Sequence, residues 1–406
     1  MAVSSNAQDT RPAPLSTREL VELARSVRRE VEELRGWKFK RDVPTEVYDE
    51  RQLRAFIEKK IFEEQFGGGR LERTEAFLRM VGLIPEDCDL RDTIVAVLLN
   101  QVGGFYGGRT KSFYMLKREG VGYGPLLTRT LVAHELTHAL DDQYVDLGKL
   151  INTELSEDAA IAIGAVVEGS ATVLMTRYMM RAMLSGDFDT EQIMQAQAQE
   201  MERSQAFFRA PPYFSTLLAN YICGMYFINR GAPPVPVAGA IADDPAGANV
   251  GENLLAAAAD PPESSEQILH PEKYWNKQTR DRPVLVNEDD VARLVAPLGL
   301  HVVHRNTVGE LLCALLTSDE HRELDIIGAS LPGYWTNDAA EGWGGDRFLL
   351  LSEGADAGQA AKDLRGLRGV WITIWDTPED RDEFVADYAL EREIPKRASV
   401  LIGKRT

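Results

Sequence analysis

Residues 159–175 read AAIAIGAVVEGSATVLM, the most apolar long stretch of the chain, and it is broken by one charge, Glu168. No other Asp, Glu, Lys or Arg falls between Asp158 and Arg177. The stretch reads as a helix buried inside the protein rather than as a membrane span, because a spanning segment would have to place that carboxylate in hydrocarbon. Inside a protein the same carboxylate is costly unless it is paired or bound to a cation. Its helical neighbours are small, with Gly164 and Ala165 one turn before, Gly169 beside it, and Ala171 and Thr172 one turn after. The fold must therefore supply a close helix neighbour and a counter-charge for Glu168.

The 406 residues are enough for one large domain or for two to three ordinary ones. With 63 acidic against 45 basic residues and a formal charge of -18, nucleic acid and anionic membrane surfaces are excluded as expected partners. Cys88, Cys223 and Cys313 are few, odd in number and far apart, and read as buried free thiols. The first twenty residues hold no continuous apolar run of the kind a secretory signal needs. A soluble protein is expected, cytoplasmic as numbered, with an extracytoplasmic setting open if the chain is a trimmed one.

The fold class reads as α+β and mostly helical. Residues 1–16 look like a flexible tail and 17–89 like a helical region, with helices expected from Ser16, over DERQLRAFIEKKIFEEQF, at 71–82 and at 89–101. KFKRDVPTEVY reads as extended. A core over 90–230 opens with VGGFYGGRTKSFYML, two aromatic-rich runs flanking GGRTK, which predicts a β-hairpin. Helices follow over 125–143, from an N-cap at Ser156 to about 184, over 189–208 and over 212–229. Residues 231–260, rich in Ala, Pro and Gly, read as a flexible insert. Residues 261–406 offer a helix near 307–316, strands at DRFLLL and VWITIW, and a last helix PEDRDEFVADYALERE, a small α+β unit.

Inside the core stands LVAHELTHALDDQ, residues 131–143, in which His134, Glu135 and His138 form the pattern HEXXH. On a helix each residue turns about 100°, so positions four apart lie about 40° from one another and both imidazoles leave the same face. Two neutral imidazoles one turn apart can ligate one Zn2+, while Glu135, on the flank, can reach a metal-activated water without ligating the metal. A catalytic zinc takes a third protein ligand, and Glu168, on a helix with room for a close neighbour, is the candidate. His301, His304 and His321 lie in ordinary-looking segments.

HELTH followed by a glutamate on a second helix, in EGSAT, resembles the gluzincin group of zinc metallopeptidases. That resemblance implies a zincin-like core of HEXXH helix, backing glutamate helix and small β-hairpin or sheet. It implies His134, His138 and Glu168 as metal ligands and Glu135 as general base. It also implies that the hairpin is similar to the strand pair whose edge lines a substrate cleft. HELTHALDDQ, SSEQILHPEKY and AAEGWGGDR together resemble phrases of uncharacterised bacterial zinc peptidases. One departure is Thr172, where several gluzincins place an acidic residue; Asp141 and Asp142 are alternative acceptors for an imidazole N–H.

A peptidase of this type also needs a donor for the developing oxyanion. His270 and Tyr274, in SSEQILHPEKY, are the first candidates, with Tyr213 and Tyr221 behind them. Trp343, Asp346 and Arg347 of EGWGGDR read as closing a salt-bridged loop ahead of the alternative that they fix a substrate terminus, and Trp371 and Trp375 read as core. The expected activity is zinc-dependent hydrolysis of peptide bonds in a peptide or protein substrate. Hydrolysis of a non-peptide amide, or a non-catalytic zinc-braced binding or structural role, stays open.

Overall fold

Ser16 and Glu19 cap one another across the first turn of α1 (Thr17–Arg35), and Gly36, at φ 72°, ends it in the left-handed conformation that glycine adopts without steric cost. The computed structural model that begins there describes residues 16–63, 66, 68–101, 103–117, 123–151, 155–186, 188–232, 250–318, 326–353 and 366–391. The tail read over 1–16 therefore lies, except for Ser16, outside the described residues.

After α1 come β1 (Thr45–Tyr48), α2 (Glu50–Ile57, continued by a π-turn over Glu58–Glu63), α3 (Arg70–Val81) and α4 (Leu90–Gln101). The expected hairpin is β2 (Gly104–Gly107) and β3 (Ser112–Leu116), antiparallel, with Phe105 opposite Tyr114. β1 joins β3 on its other side in parallel register, so the sheet runs β1-β3-β2 and leaves β2 at an edge. Pro125 opens α5 (Pro125–Asp141), whose missing N–H costs nothing at a helix start. α6 (Leu147–Leu150) precedes α7 (Glu157–Ser185), capped by the Ser156 side chain as the sequence predicts. α8 (Thr190–Arg209) and α9 (Ser215–Ile228) complete this part.

α7 is the central element. Among the described residues it is the helix long and apolar enough to cross a membrane, and 67% of its most apolar window is buried inside the protein. It packs on α5, α1 and, most extensively, α9. The α7–α9 crossing is so close that a Cβ on Gly169 would overlap the Gly224 carbonyl group, and one on Gly224 would overlap the carbonyl of Ala165. Small residues around Glu168 thus do what their spacing implied. Leu20, Val27, Val31, Phe113, Leu136 and Leu140 form a second apolar cluster that ties α1 and the hairpin to α5.

The flexible insert expected over 231–260 is corrected in part. Residues 233–249 lie outside the described ones, but Val250–Ala259 is a helix, α10, with Val250, Leu254 and Ala257 buried against the main core. Four successive alanines, strong helix formers, together with an apolar stripe at i, i+4 and i+7, outweigh the bias in composition. The region after it holds α11 (Ser265–Leu269), α12 (Glu272–Trp275), α13 (Glu288–Val295), β4 (His301–Asn306), α14 (Gly309–Leu316), α15 (Ile326–Ala329), β5 (Trp343–Ser352), β6 (Leu367–Trp375) and α16 (Pro378–Glu391). β4, β5 and β6 form an antiparallel sheet in that order. Trp371 packs on Phe384 and Tyr388 of α16 and Trp375 on Phe384, so the two share a face, half-buried against the main core rather than inside it. The three cysteines are free, with Cys223 and Cys313 buried and Cys88 half-buried. The chain is α+β and mostly helical.

The crossing predicts a contrast between two glycines of α7. Gly169→Ala drives a methyl into backbone that cannot move aside and should cost about 3 kcal/mol or more in urea unfolding. Gly164→Ala meets the Asn220 side-chain amide at 2.7 Å, which can rotate away, and should cost less than about 1 kcal/mol. Equal costs would mean that the backbone contact does not hold the two helices together.

Candidate metal centre

α5 presents His134 and His138 from one face, one turn apart, with ring centroids 4.6 Å apart and planes nearly perpendicular. Their Nε2 atoms approach to 3.0 Å. Glu168, carried to the same point by α7, places Oε2 3.1 Å from Nε2 of His134 and 3.4 Å from that of His138. Three donor atoms from two helices thus form a nearly equilateral triangle. Tetrahedral ligands about 2.0 Å from a metal stand about 3.3 Å from one another, so the triangle fits one face of such a site. The three residues could hold a metal ion. The two His side chains are 5% and 9% exposed and Glu168 29%, so the cluster opens on the glutamate side.

The electrostatics of the cluster calls for positive charge. Burial alone would raise the Glu168 carboxyl, but the His138 and His134 imidazoles hold it well below the usual carboxylate range. Burial opposes protonation of His138, yet the Glu168 carboxylate more than offsets this and holds the imidazolium up to about 9. A proton there does the work of a cation shared by three donors. The Nδ1 atoms of both histidines are buried without a hydrogen-bond partner.

Glu135 stands beside the triangle and outside it. Its Oε2 accepts a 2.8 Å bond from the Tyr106 backbone N–H on the edge strand β2. Burial pushes its carboxyl up, against the pull of His134 and His138. The Tyr221 ring, on α9, lies against His134 with centroids 5.5 Å apart. α9 thus brings a phenol to the cluster.

Asp141 and Asp142 do not serve the imidazoles. Two acids at the C-terminal end of a helix oppose its dipole, and each is matched by a cation from elsewhere in the chain. Arg35, at the end of α1, grips Asp141 through Nε at 2.9 Å and through a second, shorter guanidinium contact, and the Ser170 hydroxyl donates to the same carboxylate at 2.8 Å. This buried network joins α1, α5 and α7 three residues from His138 and two from Glu168. Asp142 accepts from Lys111 Nζ at 2.7 and 2.9 Å, from the Tyr106 hydroxyl at 2.7 Å and from the Leu147 N–H at 3.0 Å. Arg35, Lys111 and Tyr106 were missed in the sequence. The one signal for them was an Asp-Asp pair at a helix C-terminus that needed two cations.

The structure gives His270 and Tyr274 other partners. His270 Nε2 lies 2.9 Å from the buried Glu310 carboxylate. The Tyr274 hydroxyl donates to the Asp260 carbonyl at 2.6 Å, with its ring packed on Phe227 and Trp275. Tyr213 donates to Glu157. SSEQILHPEKY works as a bracket: the Ser265 N–H donates to Asp158, ten residues and about 15 Å along α7 from Glu168. Its Ser264 hydroxyl accepts from the Gln267 N–H and caps the short helix, while the Gln267 side chain turns to the Glu263 N–H. In EGWGGDR, Asp346 accepts from Val308 N, Gly309 N and Trp343 Nε1 at 2.8–3.1 Å and so caps α14. A second acidic group, Glu266, Asp281 and Asp376, surrounds Lys273 Nζ, which is its counter-charge.

His321 lies outside the described residues. His301 is exposed on β4, and His304 is half-buried beside Phe77 with a buried, unpartnered Nε2. A family model described as a domain of unknown function (DUF8575) matches residues 297–400, from just before β4 through the β4-β5-β6 sheet and α16, and does not reach His134, His138 or Glu168. No curated protein and no solved structure matches the chain.

Burial and the charges of Arg73, Arg70 and Arg305 lower His304 to about 4. The folded chain then binds fewer protons than the unfolded one between about pH 4 and 6.5, so stability is lost as pH falls through that window. Between pH 7 and 5 this group should remove on the order of 2 kcal/mol, a loss His304→Phe abolishes. Urea midpoints of both proteins at the two pH values measure it, and parallel losses would refute the assignment.

Proposed function

We propose that this protein is a zinc metallopeptidase in which His134, His138 and Glu168 hold the metal and Glu135 is the general base. The observation that carries the reading is the convergence of three donor atoms within 3.0–3.4 Å of one another, from an HEXXH helix and a backing glutamate helix, with Glu135 beside them. On this reading the hairpin, α5 and α7 form a zincin-like core. A bound Zn2+ supplies a Lewis acid that polarises a carbonyl and makes water a competent nucleophile at neutral pH.

The chain's own groups divide the remaining tasks. Glu135, with its carboxyl raised by burial and oriented by the Tyr106 N–H, takes the proton of the attacking water and passes it to the leaving amine. Tyr221 offers its hydroxyl to the developing oxyanion from a helix locked to α7 at Gly169. β2 has a strand neighbour on one side only, and beside the Tyr106 N–H given to Glu135 its outer edge is where an extended substrate would pair. The segment 261–280 braces the start of α7 through Asp158, about 15 Å along the helix from Glu168, which favours a peptide over a small enclosed substrate.

Elemental analysis and peptide cleavage on four proteins test the reading. Wild type, Glu135→Gln and Tyr221→Phe should each hold about one zinc per chain, and His138→Ala should lose it. Cleavage should fall by about 100-fold or more in kcat in Glu135→Gln and about 100-fold in Tyr221→Phe. A wild type that carries no metal after preparation with zinc in excess would sink the proposal.

A further inference from the structure

The turn between β2 and β3 contains a residue in an unexpected conformation. Lys111 has φ 54°, in the left-handed region where a glycine or asparagine is the easier choice, and its N–H closes the turn on the Gly107 carbonyl at 2.7 Å. That a lysine stands there is explained by its side chain. Its ammonium reaches the Asp142 carboxylate, whose side chain is 0% exposed, with two bonds of 2.7 and 2.9 Å. Asp142 is the C-cap of α5, four residues after His138, and the Tyr106 hydroxyl donates to the same carboxylate. The Tyr106 backbone N–H in turn donates to Glu135.

One chain of contacts therefore runs from the turn to the end of the metal helix and back to the base. Without the ammonium, Asp142 would be a buried carboxylate at the end of a helix dipole that repels it, and would hold Tyr106 less firmly. β2 has a strand neighbour on one side only, and toward α5 it bonds through the Tyr106 N–H to Glu135 and through the Tyr106 hydroxyl to the Asp142 that Lys111 holds.

We propose that Lys111 is a positioning residue for the active site: through Asp142 and Tyr106 it fixes β2 on α5 and so aims the Glu135 carboxylate. The proposal rests on the peptidase reading for its catalytic consequence, whereas the latch itself does not. Lys111 touches neither the donor triangle nor Glu135, so its loss should leave metal binding intact.

The test uses zinc-loaded full-length wild type, Lys111→Gly, which keeps the left-handed turn without strain but removes the ammonium, and Lys111→Arg, which keeps a cation. Amide exchange over Gly104–Gly107, read by mass spectrometry, should quicken about tenfold in Lys111→Gly while exchange in α7 stays at the wild-type rate. Zinc content should not change, kcat should fall about tenfold, and KM should stay within about threefold. Lys111→Arg should recover both exchange and kcat. Unchanged exchange over β2 in Lys111→Gly overturns the proposal, as does faster exchange with kcat unmoved. A wild type that holds zinc and shows β2 exchange controlled by Lys111 but cleaves no peptide overturns the peptidase reading and leaves the latch standing.

Discussion

The contact between Gly169 and Gly224 governs the rest of the structure. Two helix backbones meet there with no side chain between them, and Glu168 is the residue beside the crossing. A helix pressed that close to its neighbour has little freedom to slide or rotate, so the carboxylate it carries is delivered to one place. The same crossing brings Tyr221, three residues before Gly224, to the imidazole of His134. Position and chemistry are set by the smallest residue in the alphabet.

Charge follows from that packing. α5, which carries the two histidines, ends in two adjacent acids, against its own dipole, and it is buried on nearly every side. Each acid is answered by a cation brought from far away in sequence, Asp141 by Arg35 and Asp142 by Lys111. A buried ion pair of this kind adds little net stability compared with apolar packing, but breaking one costs several kcal/mol, so its value lies in orientation. Arg35 ties α1, and Lys111 ties the hairpin, to the end of α5, and the triangle of donors lies between α5 and α7.

The C-terminal region contributes by bracing. Asp346 caps α14, whose first residue, Gly309, lies so close to Asp158 that a Cβ would overlap its carboxylate. Burial pushes both acids up, Asp158 well above the ordinary value. Phrases such as SSEQILHPEKY and EGWGGDR carry reactive residue types because buried backbone ends need polar caps. His270 and Tyr274 illustrate this: a histidine, a lysine and a tyrosine near a flexible-looking segment have the chemistry of a site, and in the fold they bond to Glu310, Glu266 and the Asp260 carbonyl.

Much of this was legible in one dimension. Local periodicity and capping residues determined the hairpin, α5, the start of α7 at Ser156 and the face shared by His134 and His138, since these depend on neighbours within a few residues. The solitary Glu168 among small residues determined that a partner helix and a cation-like group had to be found. Tertiary structure alone decided that the partner helix was α9, that Ala-rich Val250–Ala259 packed as a helix, that Lys111 and Arg35 answered the two aspartates, and that Tyr221 rather than His270 or Tyr274 came to the cluster. Those outcomes rest on contacts between residues up to about a hundred positions apart, where no periodicity links the partners and only close packing and the cost of an unpaired buried charge select them.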